Sequence, residues 1–141
     1  MDVSFIFDDL NDAQRQAVSK DPGPMLVLAG AGSGKTRVLT HRIAWLVTAL
    51  EVSPLSILAV TFTNKAALEM RHRVERMIGS PMRNMWLGTF HGLSHHFLRT
   101  HCADAGLSDS FEILDAQDQH RLVRRSLREL NLDEGFWPPR Q

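Results

Sequence analysis

The chain has 141 residues, 43% hydrophobic and 23% charged, with sixteen basic side chains set against sixteen acidic ones. That is enough for one ordinary globular domain with a buried core, and the zero net charge argues neither for nor against a nucleic-acid partner. No apolar run approaches the ~18 residues of a membrane span, Met1-Asp2 does not start a signal peptide, and the lone Cys102 excludes a disulfide scaffold and points to a reducing cytoplasm.

Taken in order, Asn11 or Asp12 can cap a short helix over Ala13 to Ser19, with Leu10, Ala17 and Val18 on its apolar side. Lys20-Asp21-Pro22-Gly23-Pro24 is a turn, and Met25-Leu26-Val27-Leu28 reads as a buried strand. An amphipathic helix then runs to about Leu50, with Leu39, Ile43, Leu46, Val47 and Leu50 as a core-facing stripe. Ile57-Leu58-Ala59-Val60-Thr61 has the continuous apolar character of a strand buried on both faces. A helix from Lys65 to Ile78 follows, with Ala67, Met70, Val74, Met77 and Ile78 inward, and Gly79-Ser80-Pro81 ends it. Met85 to Thr89 is a third strand, Phe90 to about Ala105 a third long helix stopped by Gly106, and Phe111 to Leu114 a fourth short strand. Asp115 is the N-cap of a charged helix from Ala116 to Leu130, apolar at Leu122, Val123, Leu127 and Leu130. Alternating strands and helices predict an α/β parallel sheet of the P-loop NTPase type. The close, Gly135-Phe136-Trp137-Pro138-Pro139-Arg140-Gln141, leaves two large aromatics in a proline-broken stretch and reads as an interruption.

The chemistry concentrates between the first strand and the first long helix, at Ala29-Gly30-Ala31-Gly32-Ser33-Gly34-Lys35-Thr36. A strand, a glycine-rich turn and a helix opening on Lys-Thr form a phosphate-binding P-loop, the Walker A pattern. The glycines let backbone N–H groups converge at the positive end of the helix dipole. Lys35 would reach the β- and γ-phosphates of ATP, and the Thr36 hydroxyl would ligate Mg²⁺. Ala29 stands where the strict pattern has glycine, which a negative φ tolerates.

Two further segments follow the second and third strands, at the sheet edge where α/β proteins present ligands. Thr61-Phe62-Thr63-Asn64-Lys65 interleaves hydroxyls and an amide with an aromatic, and Gly88-Thr89-Phe90-His91-Gly92 repeats that chemistry. A single aromatic at a strand end more often belongs to the core. Two at equivalent positions favour a platform on which single-stranded bases stack. The stretch from Thr61 to His101 is also basic, with Lys65, Arg71, Arg73, Arg76, Arg83 and Arg99 opposed only by Glu69 and Glu75. His91 and His95 fall at i, i+4, a spacing open to zinc, but no Glu follows His91 and no second ligand group is visible.

Leu10 to Val18, Ala29 to Thr36, Ala59 to Ala67 and Gly88 to Gly92 resemble, in order and spacing, the first motifs of superfamily 1 DNA helicases of the UvrD/Rep type. The resemblance covers essentially all of this chain and about the N-terminal fifth of such a protein. It implies an incomplete RecA-like first domain over residues 1–114 and the start of an inserted helical subdomain over 115–141. Gln14 would be the Q-motif glutamine that reads the adenine edge, Arg37 would lie against the adenine ring, and Lys35 and Thr36 would be the catalytic pair of the loop. Thr61, Phe62, Thr63, Asn64, Thr89, Phe90 and His91 would line the single-stranded DNA track. On residue chemistry alone, Gln14 reads as an exposed polar residue of a short helix.

The resemblance further implies an ATP- and Mg²⁺-dependent 3′→5′ helicase of repair or replication in the bacterial cytoplasm. Its partners would be single-stranded DNA, single-/double-strand junctions, the rest of the helicase chain and DNA-repair proteins, with no membrane contact. No apolar strand here ends in Asp-Glu, so the Walker B carboxylates, the arginine fingers and the second RecA-like domain would lie beyond Gln141. The 141 residues alone are therefore expected to bind nucleotide weakly and not to turn it over. The competing expectation is a stand-alone, non-catalytic nucleotide- or single-strand-binding module.

Overall fold

Three of the α-helices in this chain start where a short polar side chain takes up their free amides. The computed structural model describes residues 3–139, arranged as two compact units that divide between Leu98 and Arg99. In the first unit, Asn11 caps helix α1 (Asp12–Ser19) by accepting from the Gln14 amide, while the Gln14 side chain returns the bond to the Asn11 amide. This reciprocal box occupies donors that the first turn would otherwise leave open. A left-handed Gly34 opens α2 (Lys35–Thr48), and Thr63 caps α3 (Asn64–Ile78) through the Ala66 amide. Gly79, at φ +73°, closes α3 in the left-handed conformation that a side chain would strain.

Strands β1 (Leu58–Thr61) and β2 (Trp86–Thr89) pair in parallel, with Leu58 opposite Trp86 and Thr61 opposite Thr89. Helix α3 is the crossover between them, and α4 (Phe90–Thr100) leaves directly from the end of β2. One core cluster lies between α2, α3 and the sheet, around Ile43, Ile57, Ala59, Met70, Val74 and Leu87. A second joins the N-terminal segment to α2 through Ile6, Leu10, Val18, Val38 and Ala44. The rings of Phe7 and Trp45 pack at 5.1 Å beside it.

The connection from α3 to β2 is fixed from α3 itself. Arg71 donates to the carbonyls of Met82 (2.8 Å) and Leu87 (3.0 Å), and the Glu75 carboxylate accepts from the Met82 amide. A comparable set of bonds ties α2 to the N-terminal segment. Arg37 donates to the Asp9 carbonyl, Arg42 to those of Val18 and Lys20, and the His41 ring pairs with Ile6 O at 2.6 Å.

Several expected elements differ. Met25–Leu28 is extended but is no strand, and Leu26 and Leu28 are 80% and 85% exposed. A strand needs a neighbour to satisfy its amides, and among the described residues the sheet consists of β1 and β2 alone. The same holds for Phe111–Leu114, which forms no ladder and leaves Ile113 and Leu114 exposed. β1 is covered on one face only: Ile57 and Ala59 are buried, whereas Leu58 is exposed. That open face borders a groove of about 700 Å³ lined by Leu58, Val60, Trp86, Phe90, Leu93 and Phe97. Leu39 on α2 and Leu50 just beyond its end are exposed, and Val38 and Ala44 of the helix are buried instead. The helix packs both on α3 and on the N-terminal segment, so its buried surface is wider than one stripe.

In the second unit, Asp115 caps α5 (Ala116–Glu129) by accepting from the amides of Gln117 (2.7 Å) and Asp118 (2.8 Å). The expected apolar stripe of α5 faces solvent at Leu122, Val123 and Leu130, as do Phe136 and Trp137. Arg124 and Arg128 both pair with Glu134. Arg99 stacks over the Phe111 ring at 4.2 Å and donates to Asp109 O. The Cys102 thiol donates to the Asp109 carboxylate, and that bond raises it above the ordinary thiol value and disfavours thiolate.

Candidate functional site

The turn ahead of α2 is shaped by positive φ angles at Gly32 (+73°) and Gly34 (+85°). At Gly34 a second constraint applies, because a Cβ there would stand 2.8 Å from the Gln14 Nε2. At Gly30 and Gly32 a built Cβ meets nothing within 4 Å, so the loop borders open space. No side chain caps the start of α2. The free amides of that first turn, with the helix dipole behind them, are suited to an anion.

Lys35 folds back over this loop and donates to the carbonyls of Ala29 (3.0 Å) and Gly30 (2.6 Å). Gly30 O also accepts the Ser33 hydroxyl at 2.6 Å. The ammonium is therefore held by main-chain dipoles at an exposed position, from which it can exchange onto a stronger acceptor. Ala31 and Thr36 are exposed, Ala31 in the turn and Thr36 in the first turn of α2.

Gln14 joins α1 to the loop. Its Oε1 accepts from the Asn11 amide, and its Nε2 donates to the Ser33 carbonyl at 3.1 Å. Both ends of the amide are engaged inside the protein. Arg37, one turn into α2, reaches the Asp9 carbonyl at 3.1 Å. Gln14 and Arg37 thus both engage the stretch from Asp9 to Gln14.

The tips of the two strands carry the second set of residues. Thr61 and Thr89 end the ladder as a register pair, so Phe62 and Phe90 are the next equivalent positions. Their rings lie 5.6 Å apart at 50°, with Phe62 89% exposed and Phe90 54% exposed. An aromatic pair this open gains little from burial and presents its faces to solvent. Thr63 and Thr89 spend their hydroxyls locally, accepting from the amides of Ala66 and Gly92 (each 3.1 Å). Asn64 and His91, the first or second residues of α3 and α4, are exposed. Among the described residues, no group of three His, Cys, Asp or Glu side chains is placed to hold a metal ion.

Arg71, Glu75, Arg42 and His41 were not singled out by the sequence pattern as structural fasteners. Arg71 and Glu75 sit at i, i+4 with opposite charge, which reads as a pair with each other. Both instead reach the main chain of the following connection.

The amino-acid sequence that builds this geometry matches a known family. The description "UvrD/REP helicase N-terminal domain" fits residues 10–140, and the chain belongs to that family. Over all its 141 residues it is 60% identical to DNA helicase II of Escherichia coli and 60% identical to DNA helicase II of Salmonella typhimurium. It is 48% identical over 131 residues to the ATP-dependent DNA helicase PcrA of Bacillus subtilis, a match covering 93% of this chain and 18% of that protein. The chain spans 20% of the length of either DNA helicase II. Among the described residues, no helix is long and apolar enough to cross a membrane.

Proposed function

We propose that this chain is the ATP-binding and single-strand-contacting N-terminal part of an ATP-dependent 3′→5′ DNA helicase. Residues 1–114 would belong to a RecA-like P-loop domain and 115–141 would open its inserted helical subdomain. The observation that carries this reading is the loop from Ala29 to Gly34, with its uncapped helix start and the Lys35 ammonium resting on carbonyls of the same loop. A triphosphate fits that chemistry: main-chain donors, a movable cation and open space over Gly30 and Gly32.

Lys35 exchanges the Ala29 and Gly30 carbonyls for phosphate oxygens, and the Thr36 hydroxyl takes up Mg²⁺. Ala31, Gly32 and Ser33 contribute main-chain amides. The Gln14 amide gives up its Asn11 and Ser33 bonds to read adenine, and Arg37 covers the ring. Bound MgATP supplies the free energy of hydrolysis that drives translocation in the whole protein. Thr61, Phe62, Thr63, Asn64, Thr89, Phe90 and His91 form the single-strand track, with the two phenylalanines stacking bases.

The relatives' names, ATP-dependent DNA helicase and DNA helicase II, support this assignment. The partners are single-stranded DNA, its junctions with duplex, the remainder of a helicase chain and repair proteins, in the bacterial cytoplasm. These residues alone do not turn ATP over: β1 and β2 end in Thr61 and Thr89, and neither strand delivers a carboxylate for Mg²⁺ and water. The test is a fluorescence titration with a labelled ATP analogue. Lys35→Ala should weaken binding by about ten- to a hundredfold, the worth of a charged hydrogen bond, with an unchanged melting temperature because the ammonium is exposed. Equal affinity of the variant and the parent chain refutes the loop assignment. DNA-stimulated hydrolysis by this chain, lost in Lys35→Ala, refutes its inactivity.

A further inference from the structure

We propose that Arg71 is a positioning residue for single-strand binding, setting the spacing of the Phe62 and Phe90 rings from a distance without touching DNA itself. The inference rests on the reading above that those rings stack bases. Both rings are first residues beyond a ladder that pairs only Leu58–Thr61 with Trp86–Thr89. The ladder is only four residues long, and a slip of one residue would shift Phe90 by about 3.3 Å along the strand, turn it to the other face and carry Leu87 out of the core.

Burial of Ala59 and Leu87 sets which face of each strand turns inward, and α3 adds a second hold on the register. Only Phe62 and Thr63 separate the helix from the end of β1, and the Thr63 hydroxyl, immediately after Phe62, caps its start by accepting from the Ala66 amide. From the second turn of that helix, Arg71 spans two carbonyls, Met82 O at 2.8 Å and Leu87 O at 3.0 Å. Leu87 lies inside β2 opposite Ala59, three residues before Phe90. Glu75, one turn further on, holds the amide of the same Met82 at 3.0 Å. The planar guanidinium suits this task because it meets two acceptors at once in a rigid fork, which an ammonium does not. The helix thus acts as a ruler between the two tips, with Arg71 as its mark on β2.

The experiment compares the chain with Arg71→Ala, Arg71→Lys and Phe62→Ala. For each, affinity is measured for oligo-dT, for an abasic deoxyribose-phosphate strand of equal length, and for the labelled ATP analogue, at several salt concentrations. The expected result for Arg71→Ala is a roughly tenfold loss of the preference for dT over the abasic strand, approaching that of Phe62→Ala. Abasic and nucleotide affinities should stay unchanged, and Arg71→Lys should fall between. If Arg71→Ala fails to fold, Arg71→Lys carries the same comparison.

Equal losses for dT and abasic strands, with a smaller salt slope, would mean that Arg71 is a direct phosphate contact and overturn the proposal. An unchanged dT preference alongside lost nucleotide affinity and a lower melting temperature would mean general structural support, and also overturns it. A parent chain that shows no dT preference, or a Phe62→Ala variant that keeps it, removes the stacking platform itself and the Arg71 proposal with it.

Discussion

Replacing Gly34 by alanine loads two separable costs onto one position. The residue sits at φ +85°, where an L side chain costs about 1–2 kcal/mol. The new Cβ would also lie 2.8 Å from the Gln14 Nε2. That amide is the end of a flexible side chain, so it yields by leaving the Ser33 carbonyl, a loss of about 0.5–1.5 kcal/mol for one hydrogen bond. Together the change should destabilise the first unit by roughly 2–3 kcal/mol. With a urea m-value near 2 kcal/mol/M, the unfolding midpoint falls by roughly 1 M. Trp45, on α2 and packed against Phe7, is a fluorescent reporter of this unit. Repeating the substitution in a Gln14→Ala background leaves only the backbone strain, so the cost should drop to about 1–2 kcal/mol. An equal cost in both backgrounds refutes the Gln14 contact, and a midpoint equal to that of the parent refutes the left-handed turn.

Phe62→Ala should reduce oligo-dT affinity by about 1–3 kcal/mol per stacked base, read by fluorescence anisotropy, with ATP-analogue binding intact. Unchanged anisotropy titrations would remove Phe62 from the track. Met70→Ala, at a residue only 2% exposed in the core between α3 and the sheet, should cost about 2–5 kcal/mol in urea unfolding. A cost under about 1 kcal/mol would mean the site is not packed as described. The amides of Asp118 and Gln117 hold the Asp115 carboxyl below its ordinary value. A depressed native pKa adds stability above the unfolded value of about 4 and loses it as pH falls through the native one. Helicity of α5 by circular dichroism should therefore decline below about pH 4. Asp115→Asn, which caps without titrating, should flatten that decline, and an identical acid profile for the two would refute the cap as its source.

The parts of the fold legible in the sequence are those whose cause is local. Asn11, Gly79 and Asp115 mark helix ends because each acts on amides or carbonyls within a few residues of itself, whereas the Thr63 cap of α3 emerged only from the structure. The glycine turn ahead of α2 was legible as a turn for the same reason: its glycines and Lys35 act on neighbouring main chain. Met25–Leu28 and Phe111–Leu114 have the composition of strands, but a ladder is a relation between distant segments that composition does not encode. Arg71 and Arg42 were illegible as fasteners because their acceptors are carbonyls 11 to 24 residues away. Carbonyls look alike at every position of a sequence. The pairing of Phe62 with Phe90 was half legible: the repeated motif suggested equivalence, and the register supplied the 5.6 Å separation.

Helix α2 begins at Lys35 and, within its first three turns, grasps Asp9, Ile6, Val18 and Lys20 through Arg37, His41 and Arg42. The stretch from Ile6 to Lys20 therefore rides on the same rod that closes the glycine turn. A probe attached near Phe5, which is 42% exposed, is mechanically in series with that turn. Such a label offers a vantage point for testing whether the loop moves when a nucleotide is added, without altering a single residue inside it.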